Sequence, residues 1–90
     1  MAYLVAENGP DIGTRYAVEV DELTIGRHPD CQIPVKDSGR VSRYHAQIIR
    51  QGESYFIKDL GSRNHTYLND EQIDETLHPL NDGDRIRICE

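Results

Sequence analysis

The sequence predicts an all-β protein, an antiparallel β-sandwich of about ten short strands. Two observations predict this fold class. Several short stretches alternate between apolar and polar residues with a period of two, and no stretch keeps a helical period. Glycine, proline, asparagine and aspartate cluster between these stretches, where a sandwich needs its turns. The chain of 90 residues has the length of one domain with a modest core.

The strand pattern recurs along the whole chain. In order, the predicted strands are Ala2–Ala6, Thr14–Val20, Leu23–Ile25, Cys31–Val35, Tyr44–Ile49, Ser54–Lys58, Thr66–Leu68 and Asp84–Cys89, with a further apolar run at Leu77–Leu80. The first is an apolar run that ends at a turn cluster, residues 8–11. In the second, the period of two places Tyr16, Val18 and Val20 on one face.

The middle strands are delimited by particular residues. The third strand ends at Gly26-Arg27. The fourth contains Pro34, which cannot donate to a neighbouring strand, so we expect it at a sheet edge. The polar stretch Lys36–Arg43 is predicted to be a loop. The fifth and sixth strands flank Gln51-Gly52-Glu53, which predicts a hairpin.

The last third of the chain has weaker strand signals. Asn69-Asp70 predicts a tight turn, and the acidic stretch Asp70–Glu75 is interpreted as a solvated surface. Pro79 interrupts the next apolar run. The final stretch alternates cleanly, which places Ile86 and Ile88 inward.

Composition excludes several classes of protein. Hydrophobic residues make up 37% and charged residues 29%, as in folded soluble chains. No apolar run is long enough for a membrane span and no signal peptide is recognisable, so we expect a cytoplasmic protein. Cys31 and Cys89 are too few for a disulfide framework and are expected to be free thiols. A net charge of −6 argues against general binding to nucleic acid or a membrane surface.

The charge is unevenly distributed. The segment 26–65 carries +3, with seven basic and four acidic residues, which leaves −9 for the rest of the chain. Its basic residues are Arg27, Lys36, Arg40, Arg43, Arg50, Lys58 and Arg63. An acidic protein that gathers arginines beside serine, asparagine and threonine indicates a site for an anion.

Three predicted loops carry residues suited to a phosphate monoester. Arg27 ends one strand, Ser42 and Arg43 precede another, and Arg63 and Asn64 precede a third. A phosphate monoester offers three acceptor oxygens and nearly two negative charges, which guanidinium, hydroxyl and amide donors satisfy. Loops at one end of a sandwich lie together while the sheets hold them, so these three loops can meet.

At these residues the sequence resembles the forkhead-associated (FHA) domain family. The family pattern is Gly-Arg, Ser-x-x-His, Ser-x-Asn-Gly-Thr and a later Asn. Here it is matched by Gly26-Arg27, Ser42 to His45, Ser62 to Thr66, and Asn69. The resemblance covers nearly the whole chain, up to the turn at residues 80–84. It implies a β-sandwich of about eleven strands that binds phosphothreonine peptides and has neither catalytic activity nor a cofactor.

The resemblance also implies a role for each matched position. Arg27 and Ser42 would contact the phosphate, and Asn64 would bond the backbone of the ligand. Arg43 and Arg63 fit either a further phosphate contact or a solvated rim. The residues expected to support the binding loops are Gly26, His45, Thr66 and Asn69. The partner would be a protein segment phosphorylated on threonine by a Ser/Thr kinase.

Two other kinds of site are weighed against this interpretation. Ser42, His45 and Asp59 are the residue types of a hydrolase triad, but their spacing directs Ser42 and His45 to different sides and no Gly-x-Ser-x-Gly elbow is present. The possible metal ligands His28, Cys31, His45 and His65 match no familiar zinc spacing. We therefore expect neither an enzyme nor a metal site.

Two departures from the family pattern bear on function. His65 stands at the position of the family's glycine, and the sequence ends about one strand before the family pattern does. The second departure would leave one edge of Ala2–Ala6 open, where a second copy could pair to form a homodimer. The alternative function is a structural or oligomerising sandwich whose phosphate site has lapsed. Residues 1–90 are interpreted as a single domain at the N-terminus of a longer signalling or regulatory protein.

Overall fold

The computed structural model describes residues 2–5, 13–18, 20–35 and 39–88. In this part of the chain ten strands form and no helix does. The strands are β1 (Ala2–Val5), β2 (Arg15–Val18), β3 (Glu22–Gly26), β4 (Ile33–Pro34), β5 (Ala46–Gln51), β6 (Ser54–Asp59), β7 (Thr66–Leu68), β8 (Glu71–Ile73), β9 (His78–Leu80) and β10 (Ile86–Ile88). The predicted all-β fold is confirmed.

The strands form three sheets. The largest has five strands in the order β4-β3-β5-β6-β9, the second has the order β10-β7-β8, and the third pairs β1 with β2. All pairs are antiparallel except β3 with β4, which run parallel. The expected antiparallel sandwich is therefore confirmed with one parallel pair at its edge.

The core lies between the five-stranded sheet and the two smaller sheets. Leu23, Ile48 and Ile57 are fully buried on the inner face of the large sheet. Val18 and Ile73 from the smaller sheets belong to the same buried cluster. Ile86 and Ile88 pack against it half-buried, as the alternation in the last strand predicted. A core shared between layers fixes the sheets to each other and so fixes the positions of the loops at their ends.

Several local predictions are confirmed. Residues Gly52 and Glu53 close the β5–β6 hairpin, because Gln51 pairs with Ser54. Pro34 lies in β4, which is an edge strand. Asn69 and Asp70 have φ values of 51° and 69°, and positive φ at both central residues is what a tight type I′ hairpin turn requires.

One predicted face was wrong and one strand was not predicted. Val20 does not share a buried face with Val18, because β2 ends at Val18 and Val20 is 45% exposed. The acidic residues of Asp70–Glu75 are exposed, as interpreted, but the same stretch also forms a strand, β8, which the β7–β8 turn folds back against β7. The sequence pattern did not indicate this strand, because Glu71 and Gln72 are polar and exposed and only Ile73 enters the core. Ala6, residues 36–38 and Cys89, which were also assigned above, lie outside the described residues.

The core makes a direct test of the layer arrangement possible. Ile48 and Ile49 are neighbours in β5, but Ile48 is fully buried and Ile49 is half-buried on the outer face, where it pairs with Phe56. We expect Ile48→Ala to lower the free energy of unfolding by about 2–5 kcal/mol, because it leaves a cavity. Ile49→Ala serves as the matched control and should cost roughly 1 kcal/mol. Urea denaturation measures both, and equal losses would contradict the assignment of the faces.

The open edge of β1 allows a test of self-association. Among residues 2–5, 13–18, 20–35 and 39–88, β1 pairs with β2 alone. Its other edge presents backbone donors and acceptors that a second copy could satisfy. The homodimer stays a prediction, for which light scattering across a concentration series should show a mass rising towards twice 10.3 kDa. A constant monomer mass at the highest concentration would contradict it.

Candidate functional site

Three loops meet at one end of the five-stranded sheet. We call residues 27–32, between β3 and β4, the first loop; residues 39–45, before β5, the second loop; and residues 60–65, between β6 and β7, the third loop. Ser42 lies between the other two loops. Its carbonyl oxygen accepts from the Arg27 N–H at 3.0 Å, and its hydroxyl oxygen accepts from the Arg63 N–H at 3.1 Å. These two hydrogen bonds show that the three loops meet, as the sequence predicted.

Gly26 sets the distance between β3 and the second loop. A Cβ atom on this residue would lie 2.1 Å from the carbonyl oxygen of Arg43, which is far inside van der Waals contact. The same Arg43 oxygen accepts a hydrogen bond from the His28 N–H at 3.1 Å. Glycine is therefore needed here for a close approach of two backbones, which is a supporting role.

His45 is fully buried beneath the loops. Its Nδ1 accepts from the Ser42 N–H at 3.1 Å, and its Nε2 donates to the carbonyl oxygen of His65 at 2.7 Å. One neutral tautomer, with the proton on Nε2, makes both bonds. The backbone N–H of His45 also donates to Ile25 at 2.8 Å. The imidazole thus joins the second loop to the third, the arrangement expected of a supporting residue.

Asp59 organises the third loop from below. This buried carboxylate accepts from the Ser62 N–H at 2.8 Å, from the Ser62 hydroxyl, and from the Thr66 hydroxyl at 2.7 Å. Burial alone raises the pKa of Asp59, but the hydrogen bonds from Ser62 and Thr66 outweigh it and hold the pKa below its ordinary value. Thr66 is fully buried and belongs to this network.

Sequence reasoning missed this role of Asp59, which it considered only as a member of a triad. The signal was present in the spacing of Asp59 and Ser62. An aspartate followed three residues later by a serine often accepts hydrogen bonds from that residue in a turn.

The side chains proposed for the phosphate are open to solvent or nearly so. Arg27 is exposed, and its Nε donates to the carbonyl oxygen of Val41 at 3.0 Å, which orients the guanidinium and leaves its terminal nitrogens available. Arg43 and Arg63 are also exposed, and no described residue accepts a hydrogen bond from either guanidinium. Ser42 is half-buried, and its hydroxyl hydrogen remains available after its oxygen accepts from Arg63.

Asn64 is held in place by its own amide. Its Nδ2 donates to the carbonyl oxygen of Arg40 at 2.8 Å, which links the third loop to the second. The residue is half-buried. Within the described part of the chain no donor reaches its Oδ1, so this oxygen can accept from a ligand.

Asn69 supports a different part of the fold from the one expected. Its side chain donates to Asp84 at 2.9 Å and accepts from the Arg85 N–H at 2.9 Å. Its backbone N–H donates to the Arg85 carbonyl oxygen at 2.8 Å. These bonds join the β7–β8 turn to the segment before β10 and do not reach the three loops.

A stacked pair of aromatic rings, which was not predicted, joins the first loop to the second. The rings of His28 and Tyr44 stack with centroids 5.1 Å apart and an angle of 24° between their planes. Tyr44 is 45% exposed, although it adjoins buried His45. The sequence placed Tyr44 inside a motif, but its contact with His28 depends on the approach of two loops that the sequence alone does not specify.

The geometry does not assemble the triad considered above. His45 accepts from the backbone of Ser42 and not from its hydroxyl, and its other nitrogen is bonded to a carbonyl oxygen. A base that activates a serine must reach its hydroxyl. Among the described residues no group of three potential metal ligands lies together. The same residues include no helix long and apolar enough to cross a membrane.

Comparison with known proteins agrees with this geometry. The family model for the FHA domain matches residues 23–89. The oxoglutarate dehydrogenase inhibitor of Corynebacterium jeikeium is 40% identical over 87 residues, which cover 97% of this chain and 58% of that protein. The chain spans a little more than half the length of this relative and of the glycogen accumulation regulator GarA of Mycolicibacterium smegmatis, to which it is 38% identical over 87 residues, 97% of this chain and 53% of GarA.

Solved structures give the same result. Mycobacterium tuberculosis EmbR, in complex with a low-affinity phosphopeptide, superimposes with a TM-score of 0.85 and 40% identity, covering 98% of this chain and 22% of EmbR. A domain solved for an analysis of phosphothreonine-dependent FHA domain interactions has a TM-score of 0.84 and 32% identity, covering 97% of this chain and 85% of that one.

The Asp59 network gives a prediction for stability against pH. A folded-state pKa below the ordinary value of about 3.9 contributes stability that is present above that value and is lost as pH falls through the folded-state pKa. We expect the free energy of unfolding to fall more steeply between about pH 5 and pH 3 in the wild type than in Asp59→Asn. Urea denaturation across this range measures both slopes.

Asp82→Asn is the control for this experiment, because Asp82 is exposed and lies outside the network. It should keep the wild-type slope. Superimposable curves for the wild type and Asp59→Asn would show that the carboxylate does not stabilise the third loop.

Proposed function

The chain belongs to the FHA domain family, and we propose that it is a recognition module for phosphothreonine peptides. The observation that carries this proposal is the position of Ser42, whose backbone and hydroxyl hold the first and third loops together between three exposed arginines. Similarity to domains solved with phosphopeptides or for phosphothreonine-dependent interactions supports it.

The phosphate would be bound by Arg27 and Ser42, with Arg43 and Arg63 beside them. Arg27 can offer its terminal nitrogens, because its Nε is already bonded to Val41. The Ser42 hydroxyl can donate to a second phosphate oxygen. Each hydrogen bond to a charged group contributes roughly 1.5–3 kcal/mol, so a dianionic phosphate with two or more of them dominates the affinity.

Asn64 would fix the direction of the peptide. Its Nδ2 is occupied by the carbonyl oxygen of Arg40, which leaves Oδ1 to accept a backbone N–H of the ligand. An extended peptide held by its phosphate at Ser42 and by its backbone at Asn64 has a defined direction across the loops. Specificity for the flanking residues then depends on the side chains around these two points.

Three buried or close-packed residues keep this arrangement rigid. Gly26 allows β3 to approach the second loop, His45 joins the second and third loops, and Thr66 bonds the carboxylate beneath the third loop. Preformed donors lose little entropy when the ligand binds, which strengthens binding without further contacts.

A phosphothreonine ligand implies the kind of partner that this domain binds. The partner is a protein, or another segment of the same protein, phosphorylated by a Ser/Thr kinase. The domain binds without catalysis, acts in the cytoplasm, and is one module of a longer regulatory protein. The names of its relatives, which include an inhibitor and a transcriptional regulatory protein, and their greater length support this setting.

Replacement of Arg27 tests the proposal. We expect Arg27→Ala to weaken binding to a degenerate phosphothreonine peptide library by roughly 10- to 150-fold, because it removes at least one charge-assisted hydrogen bond. Fluorescence anisotropy measures the affinity, with phosphoserine and unphosphorylated libraries alongside. The wild type should prefer phosphothreonine and should not bind the unphosphorylated library.

Arg50→Ala is the matched control. Arg50 pairs with Asp21 at 3.0 Å near the far end of β5, about 16 Å along the chain from His45. It removes the same charge and should leave the affinity unchanged. Equal binding of phosphorylated and unphosphorylated libraries by the folded wild type would overturn the proposal in favour of a structural role.

A further inference from the structure

We propose that His65 and Gln72 form a second recognition point of this site, where the His65 imidazole donates a hydrogen bond to an acidic side chain flanking the phosphothreonine. The inference rests on the proposed function and adds a specificity-determining residue to it. His65 is the one position of the third loop at which this sequence departs from the family pattern.

The backbone at His65 is strained. Its φ is 70°, in the left-handed region that favours glycine and that side chains with a Cβ rarely adopt. The strain is maintained by the bond from buried His45 to the His65 carbonyl oxygen at 2.7 Å. Strained non-glycine residues concentrate at functional sites, since glycine would be more stable at such a position unless the side chain has a use.

The side chain of His65 is positioned rather than free. The Nε2 of Gln72, on β8, lies 3.3 Å from His65 Nδ1 and donates to it. That bond places the imidazole proton on Nε2, which therefore remains a donor. His65 is exposed, and within residues 39–88 and the other described segments nothing accepts from its Nε2. The pair thus presents one oriented N–H to solvent.

The location of this donor suits a contact with a flanking residue. The amide of Asn64 points back to Arg40 in the second loop, whereas the ring of the next residue, His65, lies towards β8. A peptide whose backbone is held at Asn64 and that continues over the third loop would pass beside the His65 ring. The contact therefore falls on a ligand residue close to the phosphothreonine and not on the phosphate itself.

The surrounding charges favour an acidic ligand side chain. Arg63 is exposed two residues away in the same loop. Of the nearby acidic residues, Glu71 projects from the opposite face of β8 to Gln72, and Asp70 lies 3.4 Å from Arg87. Glu75 lies towards Gly61 at the start of the third loop. A hydrogen bond in which the acceptor is charged is stronger than a neutral one, so the His65 N–H favours a carboxylate over a neutral acceptor.

The test uses His65→Gly, which installs the residue best suited to the backbone and so keeps the domain folded, as a thermal melt would verify. The probe is a phosphothreonine peptide library with degenerate flanking positions, from which bound peptides are sequenced. We expect the wild type to enrich aspartate or glutamate at one flanking position. In His65→Gly this enrichment should disappear while enrichment at other positions and dependence on the phosphate remain.

Single peptides then give the size of the contact. For the wild type, replacing the enriched acid with alanine should weaken binding roughly 3- to 10-fold, and for His65→Gly it should have no effect. Gln72→Ala should lower the preference, because the ring loses its orienting bond. Gln51→Ala, at the exposed end of the β5–β6 hairpin, is the matched control and should change nothing.

The outcomes separate the two proposals. Phosphate-dependent binding with the same flanking profile in the wild type and His65→Gly would overturn this inference and leave the proposed function standing. A wild type that enriches no acidic residue at any flanking position would overturn it as well. Failure of the wild type to distinguish phosphorylated from unphosphorylated libraries would overturn both.

Discussion

The site depends on a buried histidine that holds two loops at once. His45 accepts from the Ser42 N–H in the second loop and donates to the His65 carbonyl oxygen in the third loop. Removing the ring would leave both groups without this partner, and a polar group that loses its partner away from water costs about 1–3 kcal/mol. The same two loops are also joined by the Ser42 hydroxyl, which accepts from the Arg63 N–H. The geometry of the candidate site is therefore set from the core outwards.

The register of the large sheet explains why these loops meet. Ile25 on β3 pairs with Ala46 on β5, and Ala46 pairs with Asp59 on β6. Ile25, Ala46 and Asp59 therefore lie side by side at one end of the sheet. The three loops begin or finish next to these residues. A slip of one residue would turn the buried side chains outward, so the hydrophobic core that fixes the register also fixes the site. Gly26, next along β3, then allows the first and second loops to approach closely.

How far the sequence predicts this structure depends on how local each feature is. Period-two patterns predicted most strands, and the hairpins followed from their turn residues. Strand β8 was not predicted, because it is an edge strand with one buried residue, Ile73, and so shows no alternation of apolar and polar residues. The candidate site residues were identified from residue types and spacings within motifs, and their roles in binding stay predictions. Their contact partners were not identified: the Asp59 network, the stack of His28 on Tyr44, and the bonds of Asn69 to Asp84 and Arg85 all depend on which loops the tertiary fold brings together.

The uneven distribution of charge explains how a protein with a net charge of −6 can contain a site suited to an anion. Interactions between exposed charges are largely screened beyond about 8 Å at physiological ionic strength. A phosphate bound at Ser42, as proposed, would therefore interact mainly with the arginines of the three loops and little with the negative charge distributed elsewhere. A long polyanion such as nucleic acid would extend beyond the loops and meet that negative surface. The overall charge of −6 thus disfavours long polyanions, while the basic segment 26–65 keeps a local environment suited to a small anion.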